Sequence, residues 1–355
     1  MSRGFKHIPI LDWKIYQEGQ KPAFLEQLRD ALIFAGFLYL QHPPIEAGLI
    51  ERVKEYLPKL FALPAETKHK LDMVNSPHFL GYSSLGSELT KGKVDQREQF
   101  DFGTPYDCIW KEGDPEYRKL WGQSQWPSEE DLPGFKDTLT RYLSQVQDLS
   151  EIFTHLVAEA LGLGPNGLDI FFDHPMSSMQ HRSKVVKYPP VGDEQQGVGP
   201  HFDSGFLTLL LQASSHRGLQ AQNVDGDWID VPPLDDTLVV NIGKGLEFVT
   251  QRVALATTHR VLNPPLGSTD RYSVPYFQII KQDIKLADSV IDFSPEILAL
   301  RDKRGDPVSD SVNYSEYGTE ESGHVSLIGR IRSHPDVARR HYPTLYKVYF
   351  PGESQ

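Results

Sequence analysis

The stretch VGPHFDSGFLTLLLQ, Val198–Gln212, decides how this chain is read. A glycine-containing segment delivers His201 and Asp203 onto an apolar run, Phe206 to Leu211, that has the character of a buried β-strand. In a strand, residues two apart face the same side, roughly 6.5 Å apart. The spacing therefore predicts His201 and Asp203 on one face and Phe202 on the other. Two ligand-capable side chains at that distance can share a metal ion. Alone, however, a His-x-Asp pair more often marks a solvated loop end.

Around this stretch the pattern is β-type. After Met176 the runs SKVVKYPP, RGLQAQNV, DWIDVPP, DTLVVNIG, ALATTHRVLNPP and RYSVPYFQIIK are short and punctuated by Gly, Pro, Asn and Asp. Asp225-Gly226 is a hairpin signal. Short strands at such spacing predict a double-sheet roll or barrel. The first half predicts helices flanking it, with short strands at Ile8–Leu11 and GFLYLQ. PAFLEQLRDALIFAG has Leu25, Leu28, Ala31, Leu32 and Ala35 at helical spacing and a stop at Gly36. IEAGLIERVKEYLPKLFALP predicts a second helix. The longest apolar stripe, Leu139 to Ala160, predicts a third, entered after Pro133 and ended by Gly162 and Gly164. HPDVARRHYPTLYKVYF reads as a terminal helix, and the polar segment Asp302–Gly323 as a surface loop able to close over a site. The regions 1–175, 176–290 and 291–355 are read as an N-terminal helical and strand region, a catalytic β core, and a C-terminal loop and helix completing the same domain.

The bulk numbers bound the function. The chain has 355 residues, with enough apolar material for a sizeable core. A net charge of -12 disfavours a nucleic-acid partner, whose phosphates it would repel. Cys108 is the single cysteine, so no intrachain disulfide can form, which fits a reducing cytosol. No run approaches the roughly 20 apolar residues of a membrane helix. The expectation is a cytoplasmic protein acting on a small molecule, with neither nucleic acid nor membrane as partner.

A third ligand changes the weight of His201-x-Asp203. His259 sits in ALATTHRVLNPP, several strands later, where a rolled sheet can bring it alongside. Two His and one carboxylate on one face of an octahedral ion leave three positions free, which suits iron(II) oxygenases. Zinc, with its four-coordinate preference, fits less well. Beyond it, Arg271 and Ser273 alternate on one strand face. A guanidinium beside a hydroxyl can hold a carboxylate through charge-assisted hydrogen bonds. Arg-x-Ser alone is common; at this distance after the His-x-Asp…His set, it reads as an anchor for the far end of a dicarboxylate that chelates metal through a 2-oxo acid.

Taken together, His201-x-Asp203…His259…Arg271-x-Ser273 resembles the iron(II)- and 2-oxoglutarate-dependent dioxygenases of the isopenicillin N synthase-like group. IPILDW, LRDALIFAGFLYLQHPPI and the segment from Gly218 to Gln251 are also similar to that group, so the resemblance covers most of the chain. It implies a mainly β fold with flanking helices, a double-stranded β-helix (jelly roll) core. It implies Fe(II), 2-oxoglutarate and O2, with ascorbate as reductant, and oxidation of a bound substrate with release of succinate and CO2. His201, Asp203 and His259 match the iron ligands. Arg271 and Ser273 match the 2-oxoglutarate anchor, and Tyr188 matches a tyrosine that donates to the same carboxylate, although a core aromatic is an equal reading. Ser204, Val186 and Lys244 depart from residues common in the group, but none is a ligand position.

For the substrate, the resemblance offers Lys184, on the strand face of Tyr188, and Phe79, Tyr82, Arg97 and Phe100 from the segment HFLGYSSLGSELTKGKVDQREQFDFG. Phe277 is a further candidate, with core packing the competing reading for each aromatic. Phe206, Leu207 and Leu209 are expected to keep water scarce around the ligands. An iron oxidase independent of 2-oxoglutarate, an ethylene-forming type and a non-catalytic sensor on the same fold are the rival readings.

Overall fold

The computed structural model describes residues 4–90, 93–191, 196–306 and 318–352. Its strands are β1 (Ile10–Asp12), β2 (Phe37–Gln41), β3 (Gly81–Ser83), β4 (Leu89–Thr90), β5 (Lys93–Val94), β6 (Glu98–Gly103) and β7 (Arg182–Tyr188). They continue as β8 (Gln196–His201), β9 (Leu207–Gln212), β10 (Leu219–Gln222), β11 (Trp228–Asp230), β12 (Thr237–Ile242), β13 (His259–Leu262) and β14 (Arg271–Phe277). Among the described residues an eight-stranded sheet runs β1-β2-β12-β9-β14-β7-β6-β3, and a four-stranded sheet runs β11-β10-β13-β8. Among these strands only β1 and β2 pair in parallel; every other strand pairing is antiparallel.

The two-residue alternation of the strands divides the large sheet into two faces. Leu38 and Leu40 of β2, Phe100 and Phe102 of β6, Leu207, Leu209 and Leu211 of β9, Leu238, Val240 and Ile242 of β12, and Val274 and Tyr276 of β14 all join one core. They pack there against the helices α2 (Lys21–Phe34), α3 (Leu49–Phe61) and α5 (Phe135–Ala160). The opposite face looks into the roll. Phe37, Tyr39, Val186, Tyr188 and Val239 meet Val198, Leu219, Ala221 and Val261 of the small sheet in a second apolar cluster. Helices on one side and a facing sheet on the other explain why these strands carry apolar residues at almost every position. This is the jelly-roll core with flanking helices that the strand pattern and the resemblance predict.

The local signals hold. α2 ends before Gly36, whose φ of 62° is left-handed and suits a residue without a Cβ. α5 buries Leu139, Tyr142, Leu143, Val146, Leu149, Phe153, Leu156 and Val157 along its stripe. The Asp225-Gly226 turn joins β10 to β11 as a hairpin. The first short helices are α1 (Trp13–Gln17) and, after α3, α4 (Ala65–Lys70); α6 (Lys244–Val249) lies between β12 and β13, and α7 (Pro295–Arg304) follows β14.

Two differences stand out. The stretch HPDVARRHYPTLYKVYF, expected as one terminal helix, holds two, α9 (Pro335–His341) and α10 (Pro343–Tyr349), and α8 (Ser322–Ser333) precedes them. Proline at the start of α9 and of α10 fixes each boundary, because it cannot continue the hydrogen-bonded ladder. The expected closing segment Asp302–Gly323 is divided: Asp302–Arg304 end α7, Ser322 and Gly323 begin α8, and 307–317 lie outside the described residues. No helix among the described residues is long and apolar enough to cross a membrane.

Candidate metal centre and active site

The opening stretch does not run as one strand. β8 stops at His201 in the small sheet, and β9 begins at Leu207 in the large one. Asp203 therefore sits in the turn that carries the chain from one sheet to the other, rather than on a shared strand face with His201. Close backbone contacts fix that turn. The amides of Gly243 and Lys244, at the start of α6, donate to the carbonyls of Phe206 (2.9 Å) and Asp203 (2.8 Å). A Cβ on Gly243 would lie 2.1 Å from the carbonyl oxygen of Gly205. The φ of Gly243, -91°, suits any residue, so only space excludes a side chain there. Gly243→Ala is expected to destabilise the fold by about 1–3 kcal/mol, as overpacking does. Urea denaturation checks it; an unchanged midpoint contradicts the tight turn.

His259 begins β13 and is the direct cross-strand partner of His201, their ring centroids 4.2 Å apart. Each imidazole donates Nδ1–H to a backbone carbonyl: His201 to Gly199 at 2.8 Å, and His259 to Thr257 at 3.1 Å. Those acceptors put the proton on Nδ1 and leave the Nε2 lone pairs free. The Nε2 atoms point at Asp203, 3.9 Å from Oδ1 for His201 and 3.8 Å from Oδ2 for His259. One ligand atom from each of the three residues lies within 4.8 Å of the others. Asp203 Oδ2 accepts from Thr208 Oγ1 (2.6 Å) and Asn241 Nδ2 (2.7 Å). Burial works to raise the Asp203 carboxyl, but the two imidazoles and these hydrogen bonds outweigh it and hold the group below its usual range. Burial, reinforced by His259, pushes the His201 imidazole down to about 3, which keeps it neutral and able to bind a cation.

Thr208 and Asn241 had no place in the sequence reading. Their signal was a single polar residue inside an apolar run, FLTLLLQ and TLVVNIG. Both occupy the inward face that alternation assigns them, opposite the leucines and valines of the helix-side core.

A cavity of about 520 Å³ opens from this cluster into the roll, lined among others by Tyr188, Asn241, Arg271, Ser273, Phe277, Lys184 and Arg97. Arg271 and Ser273 alternate on β14 with inward-facing side chains, and Arg271 is the register partner of Tyr188 on β7. The Arg271 guanidinium is 1% exposed, stacks 5.0 Å from the Tyr188 ring, and gives Nη2 to Gln212 Oε1 at 3.2 Å. Its Nη1 is buried with no acceptor among the described residues. An unsatisfied guanidinium nitrogen in a dry wall is costly unless an anion completes it. The donor set thus fits a carboxylate next to the metal-binding cluster.

The predicted pocket residues separate cleanly. Lys184, Arg97 and Phe277 stand on the cavity wall. Phe79, Tyr82 and Phe100 do not. Phe79 is buried against Tyr342, Phe100 faces the helix-side core with Phe61 and Phe102, and Tyr82 donates its hydroxyl to Glu98 at 2.8 Å. Of the residues expected to exclude water, Leu207, at the start of β9, joins the helix-side core and also reaches the cavity, whereas Phe206 and Leu209 join that core only. Leu210, one position from Leu209, lines the cavity in its place. Alternation along β9 turns Leu209 away. The wall also includes Glu88, which lies in the segment offered for the substrate but was not singled out, and Arg182, Arg330 and His334, for which no sequence signal existed.

Known proteins match both halves of the chain. The family "non-haem dioxygenase in morphine synthesis N-terminal" matches residues 8–129, and the 2OG-Fe(II) oxygenase superfamily matches residues 176–279. The chain is 43% identical to the 2-oxoglutarate-dependent dioxygenase frbJ of a Dothideomycetidae species, over 96% of this chain and 94% of that protein. It is 32% identical to a homoarginine-6-hydroxylase of Glycine max, over 78% of this chain and 86% of that one. A crystal structure of Neurospora crassa T7H in complex with alpha-KG and thymine superposes with a TM-score of 0.68 at 27% identity, covering 90% of this chain and 97% of the other.

Proposed function

The chain belongs to the iron(II)- and 2-oxoglutarate-dependent oxygenases, and from that premise we propose that it hydroxylates a C–H bond of a small molecule seated in the cavity beside His201, Asp203 and His259. Its cofactors are Fe(II) and 2-oxoglutarate, and it releases succinate and CO2. In a hydroxylation, one atom of O2 enters succinate and the other the substrate, so R–H, 2-oxoglutarate and O2 become R–OH, succinate and CO2. The observation that carries the assignment is the pairing of the three convergent ligand atoms with the acceptor-less Nη1 of Arg271 on the same cavity wall.

In this reading the Nε2 atoms of His201 and His259 and the Asp203 carboxylate hold the iron. Bound there, iron would supply the dioxygen chemistry. Arg271, Ser273 and Tyr188 take the distal carboxylate. The carbonyls of Gly199 and Thr257 fix the imidazole tautomers, and Thr208 and Asn241 orient the carboxylate. Asn241→Ala is expected to weaken iron affinity roughly 10–100-fold, since outer partners of metal ligands have that leverage. Metal titration checks this, and unchanged affinity removes Asn241 from the assignment. Leu207, Leu210 and Val186 narrow the space around the metal and limit water.

The regions 1–175, 176–290 and 291–355 act as one catalytic unit here. β1, β2, β3 and β6 extend the sheet that holds β7, β9, β12 and β14, and α8 adds wall to the cavity. The match of residues 8–129 supports an isopenicillin N synthase-like placement within the superfamily. The relatives point to small polar substrates: homoarginine in the name of one, thymine in the complex of another. The test is succinate formation with Fe(II), 2-oxoglutarate and candidate substrates, each product followed by mass spectrometry. A product heavier by one oxygen, lost in His201→Ala, supports hydroxylation. Substrate oxidation without succinate supports the 2-oxoglutarate-independent reading instead.

A further inference from the structure

Away from the metal cluster, the cavity wall is charged and has an excess of cations. Arg97, Arg182, Lys184 and Arg330 line it, and Glu88 is the carboxylate beside them. Asp95 and Asp101 stand behind this wall, both buried, and contact Arg97 at 3.2 Å, and Lys184 and Arg330 at 3.5 and 3.3 Å. Among the described residues, Arg97, Lys184 and Arg330 thus meet three carboxylates in one buried network, and Arg182 is a fourth cation beside them. Among the described residues the cation without a carboxylate is Arg182, whose guanidinium donates instead to the carbonyls of Phe79, His78 and Leu120 at 2.6–3.1 Å.

The carboxylate oxygens of Glu88 are already used. Glu88 Oε1 receives Gln99 Nε2 (2.7 Å), His334 Nε2 (2.7 Å) and Lys184 Nζ (3.3 Å), and Oε2 receives Arg97. The donors are not. Lys184 has three ammonium protons but reaches its carboxylates only at 3.3 and 3.5 Å. Arg97 Nε is buried and has no acceptor among the described residues. Arg330, on α8, meets Asp101 through one nitrogen at 3.3 Å. A buried site with one positive charge in excess and donors left over is completed by a ligand that brings a negative charge and acceptor oxygens. Burial lowers Lys184 and pushes Arg182 down to about 9, as expected of cations that lack full compensation. The metal end does not need that anion, because Arg271 already stands beside it for the cosubstrate.

We propose that the substrate is a small carboxylic acid whose carboxylate binds Lys184, Arg97 and Arg330, presenting its remaining carbon chain to the metal cluster. The proposal rests on the reading of this cavity as the active site. It makes the C-terminal helix α8 part of substrate recognition, through Arg330 and through His334 at its end, which ties it to Glu88.

The test uses the full chain loaded with Fe(II) and 2-oxoglutarate, and matched pairs of probes: L-homoarginine, L-arginine and 4-hydroxyphenylacetate, each against its primary amide. Stimulated succinate formation is measured, and 2-oxoglutarate affinity is measured in parallel. Acids should stimulate at least tenfold more than their amides. Arg330→Gln and Lys184→Gln should each raise the KM of the stimulating acid about 10–100-fold, while 2-oxoglutarate affinity stays within twofold of the parent. Arg330→Lys should recover part of the loss, which a merely structural role for Arg330 would not produce. Equal stimulation by an acid and its amide overturns the proposal. So does the absence of stimulation by every acid while 2-oxoglutarate binds normally. Failure of 2-oxoglutarate to bind the parent protein counts instead against the active-site reading beneath it.

Discussion

Asp203→Asn should lower substrate-dependent succinate formation by at least about 10³-fold, well beyond the roughly 10–100-fold leverage of an outer partner. The substitution keeps shape and removes charge. Thr208 and Asn241 both donate to Asp203 Oδ2, at 2.6 and 2.7 Å. They hold whichever amide atom faces them to be the oxygen. The NH2 group of the new side chain is then forced to the Oδ1 position, 3.9 Å from His201 Nε2, where a metal ligand must present a lone pair. Two imidazoles and a donor cannot hold Fe(II) as two imidazoles and a carboxylate do. The fold should persist, because the change removes a buried charge rather than a packed group. Iron content after purification, iron titration and circular dichroism separate the effects. A folded variant that retains iron and turns over within tenfold of the parent would falsify the metal assignment.

The second large effect is expected at Arg271. Arg271→Gln should raise the KM for 2-oxoglutarate about 10²- to 10³-fold, from the roughly 2–5 kcal/mol lost when one side of a buried, hydrogen-bonded charge pair is truncated. Iron affinity should stay near the parent value, since Arg271 touches none of the three ligand residues. The sign of the stability change is also informative. Without cosubstrate, the Arg271 Nη1 is a buried donor with no acceptor among the described residues. Its removal should therefore leave the cosubstrate-free protein as stable as the parent or more so, while stabilisation on adding 2-oxoglutarate largely disappears. Thermal melts with and without 2-oxoglutarate read both quantities. An Arg271→Gln protein that binds 2-oxoglutarate normally, or that loses iron in parallel, would place the dicarboxylate elsewhere.

Much of this site is legible in the chain because it uses few residue types at fixed short spacings. Arg271 and Ser273 lie on one strand, so a period of two puts both on the inward face, and the structure keeps them there. The stripe of α5 is equally direct, since Leu139 to Val157 need only a period near 3.6 to meet the sheet. Asp203 was harder. The run from Gly199 to Gln212 carries continuous β character, yet the chain changes sheets between His201 and Leu207. What forces the break is the approach of Gly243 to Gly205, residues far apart in the chain. Phe79, Tyr82 and Phe100 misled for the opposite reason: aromatic residues near a pocket and in a core have the same local pattern. For Phe100 the choice lies in the face that β6 turns toward Phe61 of α3, whereas Phe79 packs on the distant Tyr342 and Tyr82 bonds Glu98.

The sequence by itself determined the fold class and singled out His201, Asp203 and His259, whose side chains converge, and the arginine that follows them. Those depend on hydrophobic period and on side-chain chemistry, which are local properties. The tertiary structure alone decided the rest: that His201 and His259 are paired across two strands, that Thr208 and Asn241 aim the carboxylate, and that Glu88, Arg97, Lys184 and Arg330 meet in one wall. These are contacts between segments distant along the chain. They are fixed by how two sheets and a C-terminal helix close around a shared cavity, which no short window of sequence encodes.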